Sequence, residues 1–556
     1  MKKNIVLLGF ILIAISVHSM DFAPNEIIVK TRYRMSVEEN SFGNDDIDEF
    51  LETKGNFEVE SIGEINSRKL YLISFEEISV LSVVNEMKQF VEFEYIQPNY
   101  LRDYLVIPND PELSEQYSYF TDINLFDAWN KTSGSENILI SIIDSGIYLQ
   151  HPDITKNIWV NQGEVNHIFI DEFDTNENGK FDLPEIFNYL QEQDLDYNED
   201  GNFDQEDVLA ESSPFIDNID NDGNGYTDDI FGWDFTDAPT MGDVAVGDYL
   251  ERDNNPTDES SHGTHVAGIV GATTNNGIGI AGICWDISLM AIRSGHRTTL
   301  GGQLQDDDIA ASIIYSTNMG ADVINASWGE YSESQIISDA IDYAFENDVI
   351  MVCSSGNTGG PGVLFPANLS NTIAVGSVGE FKTRSSFSSY GNEIDVMAPG
   401  SFVHSTIYNE ENGYTYGAMS GTSMAAPHIC GVIGLLLSQD PTLDFREIKY
   451  SIAESAEDIN IEGFDIETGY GLINAGDLLN NENSSQIEIS YPSDFSGESG
   501  TFEIIGTVKS ELFSRYTVMY TDKENPTSAD WSDVSSPHNN TPTFYFEQKE
   551  NEKLAE

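Results

Sequence analysis

Three short motifs lie far apart in this chain and must meet in space if they are to act together. That requirement constrains the fold more than any other feature. The motifs are Ile142-Ile143-Asp144-Ser145-Gly146-Ile147, His262-Gly263-Thr264-His265-Val266-Ala267-Gly268 and Ser420-Gly421-Thr422-Ser423-Met424-Ala425-Ala426-Pro427-His428. Ser423 stands where small residues give way to an apolar helical run, 429–437. A serine at a helix start has free backbone N–H groups beside it and can be activated by a base. Its hydroxyl is a weak nucleophile near neutral pH. His262 would take the hydroxyl proton and return it to the leaving group, and Asp144 would hold the imidazole in one tautomer and stabilise the imidazolium. His265, one helical turn on, reads as packing, and so do His151 and His428.

Between the motifs, apolar runs alternate with helical patterns. Residues 138–143, 289–292, 323–326, 349–353 and 372–375 read as buried parallel strands, and 308–319 and 334–346 as helices. This alternation predicts an α/β layer fold with right-handed crossovers. In such folds functional groups gather at the carboxyl ends of strands, and Asp144, Ser327 and Asn357 fall there.

At 556 residues the chain is expected to form three or four units. Its 25 basic and 95 acidic residues give a net charge of −70, which argues against nucleic acid or anionic lipid as partner. Residues 1–20 read as a secretory signal, with Lys2 and Lys3 before an apolar run too short to span a bilayer. No later stretch reads as a membrane span. Cys284, Cys353 and Cys430 sit in apolar settings and read as buried thiols.

Asp144 and His262 are 262 − 144 = 118 residues apart, and most of that stretch is an acidic insertion at 160–235. It holds two matches to the twelve-residue calcium loop with glycine at position 6. The first uses Asp174, Asn176, Asn178, Asp182 and Glu185, and the second Asp196, Asn198, Asp200, Asp204 and Asp207. A third run carries Asp220, Asp222, Asn224 and Asp228 but has Phe231 at position 12. Over 171–229 there are 20 acidic residues and one basic, Lys180, so the segment should repel itself without cations.

The three motifs resemble those of the subtilisin-like serine proteases, the subtilases, and the resemblance runs over about residues 109–479. It implies a three-layer α/β fold with a parallel sheet as the catalytic domain, 109–479. Residues 21–108 resemble the family's propeptide, a small α+β unit that would act as an intramolecular inhibitor. Residues 480–556 resemble the start of a β-sandwich module. The resemblance makes Asp144, His262 and Ser423 the triad. Ser354-Ser355-Gly356-Asn357 is similar to the oxyanion motif, with the Asn357 amide and the Ser423 N–H as donors. Ser327, Trp328 and Gly329 would line one wall of the substrate site, and Ser354, Ser355 and Gly356 the other. Family members usually carry an aliphatic residue at the place of Trp328, and Leu364 stands where small residues open the pocket floor. Asp153 and Asn276 match a structural calcium site, to which Gln116 and the carbonyls of Thr274, Ile278 and Ile280 would add. The expectation is a secreted, monomeric, calcium-stabilised endopeptidase with two to four ions and polypeptide substrates. A catalytically silent calcium-binding matrix protein, or a protease acting only on its own propeptide, is the alternative.

Overall fold

The computed structural model describes residues 22–480, omitting 34–36, 38–39, 66–67, 77, 101–105, 166–173, 239–244, 300, 410–412 and 462. Outside that span it describes the strand segments Leu7–Gly9, Gln486–Tyr491, Ile504–Lys509, Met519–Thr521, Ser532–Asp533 and Phe544–Glu547. Most of the expected signal and C-terminal module therefore lie outside the described residues.

The chain divides into two units, residues 13–104 and the remainder. In the smaller unit, β1 (Phe22–Thr31), β2 (Phe57–Ile65), β3 (Arg68–Phe75) and β4 (Phe93–Tyr100) form an antiparallel sheet in the order β2-β3-β1-β4. Helices α1 (Asp45–Thr53) and α2 (Val80–Met87) supply apolar residues to its core. Val80, Val83, Val84 and Met87, spaced at helical period, are all buried.

The larger unit is built on seven parallel strands. They are β5 (Gly134–Asp144), β6 (Gly232–Asp234), β7 (Asp286–Arg293), β8 (Val323–Ala326), β9 (Ile350–Ser354), β10 (Ile373–Val378) and β11 (Val396–Pro399), in the order β11-β10-β9-β8-β5-β7-β6. Their central residues are apolar on both faces and buried, as a sheet covered by helices on both sides requires. α4 (His262–Gly271) packs with α7 (Thr422–Gln439) in one helical layer; α3 (Leu183–Gln193) belongs to the insertion. α5 (Asp306–Asn318) and α6 (Gln335–Glu346) lie against each other in the other layer. α7 is buried almost all round, because sheet and helices enclose it. β6 and β11, at the two sheet edges, have no long apolar run and were not legible as strands. The insertion enters the sheet through β6.

Candidate active site

Asp144 ends β5 and Ser327 follows β8. These strands are paired with Ala326 opposite Ile143, so Ser327 and Asp144 stand side by side on the carboxyl rim. His262 opens α4, and its Nδ1 lies 2.7 Å from Asp144 Oδ1. Asp144 is 5% exposed, and the His262 side chain about one-third exposed at 35%. Burial opposes charge on His262, but the charge and hydrogen bond of Asp144, with the charge of Asp258, outweigh it and raise the imidazole pKa.

Ser423, the second residue of α7, reaches the same rim: its Oγ donates to the Ser327 carbonyl at 3.0 Å. Asn357 follows β9. Its Oδ1 accepts the N–H and hydroxyl of Thr422 at 2.8 and 3.1 Å, which leaves the Nδ2 as the outward donor. A Cβ placed on Gly421 would lie 3.4 Å from Asn357 Nδ2 and 3.6 Å from the Ser423 nitrogen. The Asn357 amide and the Ser423 backbone nitrogen therefore lie close to one point beside Gly421.

His265, His151 and His428 are fully buried and bond to backbone carbonyls, with pKa values lowered by burial to about 3, 4 and 4. They are neutral packing groups, as read from the sequence. The three cysteines are free and buried.

The walls of the expected substrate cleft form as backbone. Ser354 and Ser355 are buried, and Ser355 pairs its carbonyl with the Leu364 N–H at 3.0 Å. The Trp328 indole donates to the Ile143 carbonyl at 3.0 Å, which turns the large ring onto the sheet. A Cβ on Gly356 would meet Leu364 Cγ at 2.6 Å, and one on Gly329 would meet Leu364 Cβ at 3.3 Å. Leu364 thus lies between the two walls.

The three acidic loops share one backbone geometry. The carboxylate at position 1 (Asp174, Asp196, Asp220) accepts the N–H groups of positions 5 and 6 in each. The position 6 glycines, Gly179, Gly201 and Gly225, have φ of 76°, 87° and 96°, which L side chains rarely adopt. In the first loop Glu185, at position 12, accepts the N–H groups of Thr175 and Asp182, at positions 2 and 9. Asp207 does the same in the second loop for Tyr197 and Asp204. In the third loop those N–H groups, on Asn221 and Asp228, go to Glu164, a buried residue 220 − 164 = 56 positions before the loop starts. Glu164 therefore stands in for Phe231, and a ligand atom from each of Glu164, Asp220 and Asp222 falls within 4.8 Å of the others. Asp228 turns away: its carboxylate accepts the N–H groups of Asp217 and Asn218. Asn176, Asn178, Asn198, Asp200, Asp222 and Asn224 stay in their loops. The donor sets are carboxylate and amide oxygens on tight turns, which fit a hard divalent cation.

At the other expected site, Asp153 is fully buried and accepts the Asn276 amide at 2.7 Å and the Ile280 N–H at 2.9 Å. Burial raises its pKa to about 6, and nearby Asp110 adds to the rise. Both ends of the Gln116 amide pair with the Ala281 backbone at 2.8 Å, beside Ile280. Asp110, 4% exposed and bonded to the N–H groups of Asn275 and Asn276, is a further carboxylate brought there. Nothing local in the sequence marks Asp110 or Glu164.

A base oriented by a carboxylate, a serine at a helix start and an amide beside it, all on one rim of a parallel sheet, have the form of an α/β serine hydrolase. The profile described as the Subtilase family matches residues 135–471, more than half of the chain. The chain belongs to the subtilase family. It is 40% identical over 245 residues to the thermophilic serine proteinase of Bacillus sp. (strain AK1), covering 44% of this chain and 58% of that one. It is 37% identical over 227 residues to thermitase of Thermoactinomyces vulgaris, covering 40% and 78%. To the halolysin-like extracellular serine protease Nep of Natrialba magadii it is 31% identical over 386 residues, covering 69% and 55%. The chain thus spans little more than half of two of these relatives. A solved protease structure from Pseudoalteromonas arctica shares the fold, with a TM-score of 0.50 and 24% identity, covering 67% of this chain and 99% of that one.

Proposed function

We propose that this chain is a secreted serine endopeptidase, made with an inhibitory propeptide at 21–108 and stabilised by calcium. The observation that carries the reading is Asp144 orienting His262 at 2.7 Å, with Ser423 bonded to Ser327 at the end of the adjoining strand. His262 takes the Ser423 proton as the hydroxyl attacks the peptide carbonyl. The Asn357 amide and the Ser423 N–H receive the oxyanion, and imidazolium returns the proton to the leaving amine, leaving an acyl-enzyme for water to cleave. Leu364, set between Gly329 and Gly356, favours small or medium side chains before the scissile bond. Relatives named as serine proteinases, one of them named extracellular, support activity and secretion. Among the described residues no helix is long and apolar enough to cross a membrane.

Calcium would be held by the loops beginning at Asp174, Asp196 and Asp220, with Glu164 in the third, and by Asp153 with Asp110. Bound calcium neutralises the carboxylates and stabilises the folded state that binds it. The test is fluorophosphonate labelling of the purified protein with peptide mapping and a casein assay. Label on Ser423, with both label and proteolysis lost in Ser423→Ala, is the expected result. Proteolysis that survives Ser423→Ala overturns the reading.

A further inference from the structure

Behind the Asp144–His262 pair lies a second carboxylate, Asp258, with no exposed surface. Its Oδ1 accepts the Ser145 hydroxyl at 2.9 Å and the N–H groups of Ser260 and Ser261 at 2.7 and 3.0 Å. Its Oδ2 accepts the N–H and hydroxyl of Thr264 at 2.9 and 2.6 Å. Five donors converge on two oxygens, and three of them are backbone N–H groups, which favour the carboxylate form and act against its burial. Ser145 joins this carboxyl group to the Asp144–His262 pair: its N–H donates to Asp144 Oδ1 at 2.8 Å, and its Oγ accepts the Gly263 N–H at 3.0 Å. Asp258 thus grips the first turn of α4 through Thr264 and the end of β5 through Ser145, on either side of His262.

We propose that Asp258 is a positioning residue of the catalytic site, fixing His262 against Asp144 through Ser145 and Thr264. The inference rests on the endopeptidase reading for its catalytic consequence, but not for its structural one. Burial pushes the Asp258 pKa up, and the donors that surround it act against that. Its negative charge is one of the influences that raise the His262 pKa; Asp144 is the stronger, and His265 is neutral. Glu259, next along the loop, faces Arg293 at 3.1 Å instead.

Asp258→Asn keeps the shape but sets an amide NH2 against either the Thr264 donors or those of Ser145, Ser260 and Ser261. The experiment follows the His262 imidazole by NMR titration, and kcat and KM against pH, in the full-length protein, in Asp258→Asn and in Ser145→Ala. The expected result is a lower His262 pKa in Asp258→Asn. In both variants kcat falls on the order of 10-fold to 100-fold with KM held. An Asp258→Asn protein with unchanged titration and kcat overturns the proposal. So does loss of folding in Asp258→Asn combined with full activity in Ser145→Ala, which would make Asp258 a scaffold residue. If the parent protein cleaves nothing, the endopeptidase reading fails, and the imidazole titration still decides this one.

Discussion

Ser327 and Ser423 exchange hydrogen bonds: Ser327 Oγ donates to the Ser423 carbonyl at 2.8 Å, and Ser423 Oγ to the Ser327 carbonyl at 3.0 Å. The first bond has a cause in the sequence. Pro427 lies in α7 four residues after Ser423 and has no N–H, so the Ser423 carbonyl lacks its helical partner. Ser327 supplies the missing donor and ties Ser423 to the strand beside Asp144. Ser327→Ala should cost about 1–3 kcal/mol, the range for a buried acceptor left unpaired. Denaturant unfolding measures it, and a change near zero would mean the carbonyl finds another donor.

Asn357→Ala should lower kcat by about 10²–10³ and leave KM nearly unchanged, because the amide acts on charge that develops after binding. Steady-state kinetics on one peptide substrate would settle it. An equal change in KM would place Asn357 in ground-state binding.

The acid limb of kcat/KM should titrate above the usual histidine value of about 6.5. Catalysis needs neutral His262, and Asp144 and Asp258 favour the protonated form. Activity should therefore be full above the raised pKa and fall as pH drops through it. A limb at or below the usual value contradicts this electrostatic account.

Glu164→Gln should lower the melting temperature more in calcium than in EDTA, because Glu164 both accepts the loop's N–H groups and completes the third loop. Calorimetric titration should find one fewer ion in the variant. An equal loss in EDTA would assign Glu164 to hydrogen bonding alone.

Leu364→Gly should admit larger side chains before the scissile bond, since Leu364 fills the gap between Gly329 and Gly356. A library of peptides varied at that position reads the change. An unaltered preference would place the pocket elsewhere.

The sequence alone determined the parts whose signals are local. Asp144, His262, Ser423 and Asn357 sit in compact motifs next to apolar strands or helices, and the acidic loops carry their oxygens and glycines within twelve residues. The central strands and α2, α5 and α6 were legible from apolar runs or helical periodicity for the same reason. Only the tertiary structure decided that Glu164 stands where Phe231 cannot serve, that Asp110 stands by Asp153, and that Asp258 gathers five donors behind Asp144 and His262. Trp328 turning its indole onto Ile143 belongs with these. A buried carboxylate or indole is defined by the donors and acceptors that surround it, and those arrive from distant segments once β5, β7 and β8 pair and the insertion joins the sheet through β6. No periodicity along the chain encodes that meeting.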